Sequence, residues 1–245
     1  MYAHDQIQPA YDGPNKTQKV ARMFDAIAPT YDRLNRVISL GLDRSWRRRL
    51  LETVLATHPQ RVLDVATGTA DFALALAKAQ VLEVHGLDLS AGMLEVGREK
   101  ARKADLTVTL THGDGLALPY PDGHFDVTTV VFGVRNFEDL DRGLEELCRV
   151  TRPGGLVAIL ELSTPRSRWL AGLHGLYSRL WLPRIGALLS GQREAYSYLP
   201  ASVAAFPSGA RLCPVLERIG LTDVRHLPLS GGIAAIHLGH TPSRG

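Results

Sequence analysis

The spacing of apolar residues along the chain changes character near residue 60. Between Thr17 and Leu55, apolar residues recur at helical spacing, and Pro29 and Gly41 divide the stretch into two or three helices. From Arg61 onwards, short apolar runs of strand length alternate with helical segments. The pattern therefore predicts a helical N-terminal part followed by alternating strands and helices.

Five strands are predicted in the alternating part. They cover residues 61–66, 81–89, 107–114, 125–133 and 155–162. Ser90 is a suitable N-cap for a helix that reaches Lys103, and a second helix over 139–151 ends at the RPGG sequence of 152–155. After a long interruption, a helix near 212–219 and strands at 222–229 and 232–240 complete the pattern. This alternation is typical of an α/β fold with a mostly parallel sheet.

The chain is predicted to form one large domain. Residues 1–15 lack apolar periodicity and are expected to be a flexible tail, while 16–240 form the domain, with a helical cap over 17–55 and a helical insertion over 164–210. The length of 245 residues and the hydrophobic content of 45% are sufficient for a sizeable core. No signal peptide and no membrane-spanning segment are expected, because the N-terminal stretch is polar and the most apolar stretch contains charges.

Composition excludes several classes of function. Cys148 and Cys213 form no C-x-x-C pair, and the nine histidines are scattered, so we expect a reduced cytoplasmic protein without a metal site. The formal net charge of +3 is too small to indicate nucleic-acid binding without a basic patch.

Three loops that follow consecutive predicted strands carry glycine and acidic residues. The first strand enters the sequence TGTAD at 67–71, the second ends at Asp88, and the third leads into HGDG at 112–115. An acid placed like Asp88, 24 residues after Asp64, accepts the ribose hydroxyls of an adenosine-type cofactor. Asp114 would meet an adenine amino group. The alternatives are a capping role for Asp88 and an ordinary Asp-Gly turn at Asp114.

This arrangement resembles the Rossmann-like S-adenosylmethionine-dependent methyltransferases. Their acid-x-Gly-x-Gly-x-Gly motif falls on 64–70, where only Gly68 of the three glycines is kept. Two longer stretches, YDRLNRVISLGLDRSW (31–46) and RVTRPGGLVAILELS (149–163), resemble signatures of the ubiquinone/menaquinone-biosynthesis C-methyltransferases. FGVRN (132–136) and the block over 182–207 are also similar to that family.

The resemblance implies a class I methyltransferase fold with seven strands in the order 3-2-1-4-5-7-6. It implies S-adenosylmethionine as methyl donor and a polyprenyl quinol as substrate, with demethylmenaquinol first and a ubiquinone precursor as the alternative. The cofactor residues carried over by position are Thr69, Asp88, Asp114 and Gly115. A nucleic-acid methyltransferase on the same fold is a further alternative, but the position of its Asn/Asp-Pro-Pro-aromatic motif reads FGVRN here.

Methylation of a quinol carbon requires a group that favours the phenolate, because phenols titrate near 10. Arg135 and Asn136 follow the fourth strand and are the candidate catalytic residues. Arg135 would hold the developing phenolate, or else pair with a local acid such as Glu138. Tyr31 and Asp43 are candidate proton-handling groups, although Asp43 would equally cap a helix starting at Arg44.

The stretch 164–193 contains five arginines and no acidic residue, interleaved with tryptophan and leucine. One interpretation is an amphipathic core helix. The other is a wall for the polyprenyl tail and a basic lip that contacts the inner face of the cell membrane.

Overall fold

The computed structural model describes residues 16–163, 165 and 193–243. The predicted tail over 1–15 and most of the predicted insertion, including its arginine-rich part up to 192, lie outside the described residues. In the described ranges, no helix combines the length and the apolar character needed to cross a bilayer.

Three helices and a short 3-10 turn form the N-terminal part. They are α1 (Lys16–Ile27), the turn Ala28–Thr30, α2 (Tyr31–Ile38) and α3 (Leu42–Leu55). The breaks fall at Pro29 and Gly41, as predicted; Gly41 has a φ of 79°, which glycine adopts without steric cost. The predicted capping role of Asp43 is wrong, because α3 already begins at Leu42. The buried Asp43 carboxylate instead accepts a hydrogen bond from Ser39 Oγ at 2.6 Å and pairs with Arg47 Nη1 at 2.7 Å.

Seven strands form one sheet in the order β3-β2-β1-β4-β5-β7-β6. The strands are β1 (Arg61–Val65), β2 (Glu83–Asp88), β3 (Thr109–His112), β4 (Phe125–Val131), β5 (Thr151–Leu162), β6 (Thr222–Leu229) and β7 (Ala234–His240). The pairs among β1 to β5 are parallel, whereas β7 is antiparallel to both β5 and β6. The predicted fold class and strand order are therefore confirmed.

Five further helices connect the strands in the part of the chain that the structure describes. They are α4 (Asp71–Lys78), α5 (Ala91–Ala104), α6 (Leu140–Val150), α7 (Arg193–Ala205) and α8 (Cys213–Arg218). The Ser90 hydroxyl caps α5 by accepting the Met93 N–H at 3.1 Å, which confirms its predicted role. Asp139 stands one residue before α6 and caps it through the Arg142 N–H at 3.0 Å. Side chains with a free oxygen are favoured at this position because they satisfy an otherwise unpaired backbone donor.

The fifth strand is longer than predicted, because the RPGG sequence forms an irregular part of the strand. Thr151 pairs with Phe125, and the next registered pair joins Leu156 to Val127, so the ladder bulges between them. Gly154 has a φ of 69°, and a Cβ on Gly155 would lie 2.6 Å from Thr151 Cγ2. The two glycines are therefore the residues that allow the bulge.

The core consists of two apolar layers, one on each face of the sheet. Neighbouring residues of a strand point to opposite faces, so Val62 joins one layer and Leu63 the other. The first layer is covered by α3 and α4, and the second by α6 and α8. With both faces covered, the loops at the carboxyl ends of the parallel strands are the place where a ligand can bind.

Candidate active site

A cavity of about 750 Å³, measured with its open mouth, lies at the carboxyl ends of β1 to β4 and is called the first cavity here. Each of the three predicted loops contributes to the wall, and α1 covers it from above. The wall includes Thr17, Phe24, Tyr31, Gly68, Asp88, Ser90, Gly113, Asp114, Gly115, Phe132, Gly133 and Asn136.

Asp88 ends β2 and lines the first cavity. Its carboxylate accepts hydrogen bonds from the Gly68 N–H at 2.7 Å and the Ser90 N–H at 2.8 Å. Burial raises the pKa of Asp88 above the usual value, although these backbone donors oppose the effect. An ionised carboxylate has about four acceptor sites, so Asp88 retains capacity for a ligand hydroxyl after fixing the glycine loop.

Asp64 supports the glycine loop from within the sheet. The side chain is buried and accepts hydrogen bonds from the hydroxyls of Thr67 at 2.7 Å and Thr129 at 2.8 Å. Burial raises the pKa of Asp64 to about 6. Asp64 is absent from the described wall of the first cavity, so its contribution is to hold the turn that follows β1.

Asp114 and Gly115 lie in the wall of the first cavity, as their place after β3 predicts. The Asp114 carboxylate also accepts the Leu116 N–H at 2.9 Å, which is the turn interaction considered as the alternative. The turn interaction is therefore present, and contact of Asp114 with an adenine amino group stays a prediction.

Thr69 does not line the first cavity, although it was among the predicted cofactor residues. Its buried hydroxyl donates to Asp32 Oδ1 at 2.6 Å and accepts from Lys100 Nζ at 2.9 Å. Lys100 also pairs with Asp32 at 2.6 Å and with Asp71 at 2.5 Å. Thr69 thus links the glycine loop to α2 and α5. No local motif indicated this network, because its members come from three separate segments: the TGTAD sequence of 67–71, α2 and α5.

Hydrogen bonds hold the helix α1 over the first cavity. Asp25 accepts hydrogen bonds from Ser90 Oγ at 2.6 Å and from the Gly92 N–H at 2.9 Å. Lys16 Nζ donates to the Phe137 carbonyl at 3.0 Å, and the Thr17 hydroxyl donates to Glu138. These contacts hold α1 against the loops after β2 and β4.

A second cavity of about 470 Å³ adjoins the first, and Phe24 and Tyr31 belong to the walls of both. Its wall is mostly apolar and is formed by α1, α2, α7 and the turn after β4. The residues are Met23, Phe24, Ile27, Tyr31, Leu34, Asn35, Ile38, Arg135, Tyr198 and Leu199. Arg135 is the one cation in this described wall.

Arg135 pairs with Glu161, not with Glu138 as considered from the sequence. Arg135 Nη1 lies 2.8 Å from Glu161 Oε1, and the two side chains are only 6% and 1% exposed. The Glu138 carboxylate instead accepts a hydrogen bond from the Thr17 hydroxyl. This partner could not be predicted from a local motif, because Glu161 lies 26 residues away on β5 and meets Arg135 only through the pairing of β4 with β5.

Asn136 lines the first cavity, and its Oδ1 accepts a hydrogen bond from the Tyr198 hydroxyl at 3.0 Å. Burial raises the pKa of both Tyr198 and Tyr31 above the usual value for tyrosine. Both phenols are therefore neutral at physiological pH and act as hydrogen-bond donors or acceptors at the junction of the two cavities.

Known proteins similar to this chain, in sequence and in fold, are named as methyltransferases. A protein of Deinococcus radiodurans named demethylmenaquinone methyltransferase is 47% identical over 232 residues, covering 94% of this chain and 96% of its own. A protein of Geobacter sulfurreducens named ubiquinone/menaquinone biosynthesis C-methyltransferase is 42% identical over 228 residues, covering 91% and 89%. In fold, the chain is similar to an S-adenosylmethionine-dependent methyltransferase from Aquifex aeolicus, with a TM-score of 0.57, 20% identity and coverage of 94% and 99%.

The sequence profile of one family extends over residues 14–241, which is almost the whole chain. This range contains the three ligand-facing loops, the helices that cover them and both cavities. Together with relatives above 40% identity over nearly their full length, the match shows that this chain is a methyltransferase and belongs to the ubiE/COQ5 methyltransferase family.

Proposed function

We propose that this enzyme transfers a methyl group from S-adenosylmethionine to a ring carbon of a polyprenyl quinol, with demethylmenaquinol as the acceptor. The observation that carries the proposal is the pair of adjoining cavities with a shared wall at Phe24 and Tyr31. One cavity has the polar loops that suit a nucleoside, and the other has the apolar wall that suits a ring and its tail. The names of the relatives from Deinococcus radiodurans and Geobacter sulfurreducens support this acceptor class.

The first cavity fits the donor. Asp88 would accept the ribose hydroxyls, Asp114 would meet the adenine amino group, and Gly115 would contribute backbone. Gly68 has a φ of 57°, and a Cβ there would lie 3.8 Å from Tyr31 Cε1, so the loop lies close beneath α2. When bound, S-adenosylmethionine supplies a methyl group on a positively charged sulfur, which is already a good electrophile.

The main contribution of the protein to the reaction is to hold the donor and the acceptor in the correct relative position. Two reactants held in line gain about 7–11 kcal/mol relative to reactants that meet in solution. With both ligands bound, the cover formed by α1 and the apolar wall of the second cavity would limit the access of water to the junction. Phe24 and Tyr31 are placed to contact both the donor and the ring.

Arg135 is placed to favour the acceptor's phenolate form. A quinol hydroxyl titrates near 10 in water, and a nearby cation lowers that pKa because it stabilises the anion. Arg135 lines the second cavity, whereas its counter-charge, Glu161, is absent from the described wall. Of the two charges, the positive one would therefore act on the acceptor.

The test is product identification. The purified protein is incubated with S-adenosylmethionine carrying a labelled methyl group and with reduced demethylmenaquinol, and the product is identified by mass. A matched reaction with the demethylated ubiquinone precursor addresses the alternative acceptor, and the oxidised quinone serves as a control that lacks the hydroxyls. Labelled menaquinol from the reduced substrate alone is the expected result. Labelling of neither quinol would contradict the proposal.

A further inference from the structure

Three exposed apolar side chains lie close together in sequence where α2 is joined to α3, a part called the α2–α3 hairpin. Four large hydrophobic side chains are exposed in the part of the chain that the structure describes, and three of them, Val37, Leu40 and Leu42, lie between positions 37 and 42. Leu40 is 75% exposed. Scattered apolar residues are normal on a protein surface, whereas a contiguous group marks a site of interaction.

The two faces of α2 have opposite environments. Arg33, Arg36, Val37 and Leu40 follow the spacing of one helical face, and all four are exposed. On the other face, Leu34 is buried, and Leu34 and Ile38 line the second cavity. The outer face is therefore separated from the second cavity by the thickness of one helix.

Leu40 adopts a backbone conformation that its residue type disfavours. Its φ is 52°, in the left-handed region that glycine and asparagine tolerate best. Hydrogen bonds from Gly41 N to the Arg36 carbonyl at 2.8 Å and from Leu42 N to the Ser39 carbonyl at 3.0 Å fix the turn around it. Folding stability alone would favour a polar residue at this exposed position, so the leucine requires another explanation.

The same surface is strongly basic. Its exposed arginines are Arg33, Arg36, Arg44, Arg48 and Arg49. Asp43 is the single acid between positions 33 and 49, and it is buried against Arg47. Within the described ranges, Arg33, Arg36, Arg44 and Arg48 form no ion pair. Arg49 lies 3.6 Å from Glu52, so four of the five arginines are without an ion-pair partner among the described residues.

We propose that this hairpin surface, comprising Val37, Leu40, Leu42 and the five exposed arginines, docks on an anionic lipid bilayer. Arginines are attracted to anionic headgroups, and apolar side chains beside them enter the boundary between headgroups and acyl chains. This combination disfavours two other partners. Phosphate contacts supply essentially all of non-specific nucleic-acid binding, and exposed aliphatic side chains add little to them. The arginines of a second copy would repel those of the first.

The position of the surface relative to the second cavity agrees with this assignment. A bilayer that contacts Val37 and Leu40 lies beside Ile38, whose side chain lines the second cavity from within the same helix. An acceptor dissolved in the membrane would then have a short path to Arg135. The docking surface itself is argued from exposure and charge, and does not depend on the proposed function.

Flotation with lipid vesicles tests the proposal without any measurement of activity. The full chain is mixed with vesicles of phosphatidylglycerol and phosphatidylcholine, or of phosphatidylcholine alone, at low and high salt. The variants are a basic one (Arg33→Gln, Arg36→Gln, Arg44→Gln) and an apolar one (Leu40→Asn, Leu42→Gln). All five positions are exposed, and Asn suits the backbone at position 40, so both variants are expected to fold.

The matched controls remove the same chemistry from other surfaces. Lys78→Gln, Arg102→Gln and Arg225→Gln together remove three exposed charges, and Leu82→Ser removes the fourth exposed hydrophobic residue. We expect wild type and controls to float with anionic vesicles at low salt, and the basic variant to bind about a hundredfold more weakly. We expect the apolar variant also to lose affinity, including at high salt where charge is screened.

Three results would overturn the proposal. They are flotation of the hairpin variants equal to that of the controls, absence of wild-type flotation with anionic vesicles at low salt, and retention on RNA or duplex DNA in place of vesicles. Flotation measures binding to vesicles and not methyl transfer. A failure of this proposal is therefore distinguishable from a failure of the proposed function.

Discussion

The guanidinium of Arg135 and the carboxylate of Glu161 lie 2.8 Å apart, and neither side chain is more than 6% exposed. Glu161 Oε1 also accepts the Leu162 N–H at 2.8 Å, which fixes the carboxylate against its own strand. A buried ion pair of this kind contributes little net stability, yet losing one partner is costly because the other charge stays buried. Substitution of either residue alone is therefore expected to destabilise the fold, whatever its effect on activity.

We expect Glu161→Gln to lower the free energy of unfolding by about 3–5 kcal/mol, because Arg135 remains buried without its counter-charge. Replacing both residues, by Arg135→Met together with Glu161→Gln, should recover most of the loss. Urea unfolding of the wild type, the single variants and the double variant forms a complete cycle. A double variant as unstable as Glu161→Gln would show that the instability does not come from the unpaired charge.

We expect the same double variant to lower kcat by a factor of about 10²–10³, because the charge that favours the phenolate is gone. Its affinity for S-adenosylmethionine, measured by calorimetry, should stay near that of the wild type, since Arg135 lies in the wall of the second cavity. Arg149→Met with Glu146→Gln is the control, because it removes another Arg–Glu pair that lines neither described cavity wall. Wild-type turnover in the Arg135 variant would exclude a role for this residue in polarising the acceptor.

We expect Asp88→Asn to weaken binding of S-adenosylmethionine by about 1.5–3 kcal/mol, because a charged acceptor for the ribose becomes neutral. The control is Asp126→Asn. Asp126 also accepts two backbone N–H groups, those of Gln60 and Arg61 at 2.8 Å each, but lies outside the described wall of the first cavity. Calorimetry on both folded variants measures the effect. Equal losses for the two variants would contradict the assignment of Asp88 to the donor.

Burial lowers the pKa of His237 from 6.5 to about 4, and its Nε2 lies 2.9 Å from the Gly209 carbonyl. The unfolded chain therefore binds a proton at a higher pH than the folded chain. Keeping His237 neutral therefore contributes to the free energy of unfolding in a pH-dependent way. The contribution is fully present above pH 6.5 and is lost as the pH falls towards 4. At about 1.4 kcal/mol per pH unit, the loss amounts to about 3 kcal/mol.

Urea unfolding at pH 7 and at pH 5 measures this dependence on His237. We expect His237→Gln to reduce the difference between the two pH values, while His58→Gln, a change at an exposed position, leaves it unchanged. An undiminished difference in His237→Gln would assign the pH dependence to other groups.

The sequence was sufficient to predict the sheet and three of the loop residues in the first cavity. Asp88, Asp114 and Gly115 could be placed because the carboxyl ends of neighbouring parallel strands must meet at one edge. Glu161 could not be found in this way, since its contact with Arg135 depends on the register between β4 and β5. Thr69 was predicted to bind the cofactor because no sequence motif near it indicates that its hydroxyl forms hydrogen bonds with Asp32 and Lys100.

The shared wall at Phe24 and Tyr31 has a consequence for ligand binding. If the donor and the acceptor occupy the two cavities as proposed, both would touch the same two rings, and filling one cavity would alter the surface offered by the other. Such coupling is reciprocal: any factor by which the donor alters the affinity for the acceptor is also the factor by which the acceptor alters the affinity for the donor. The two proposed occupants would therefore not bind independently, and the demethylated donor left after each turnover would influence how firmly the methylated product is retained.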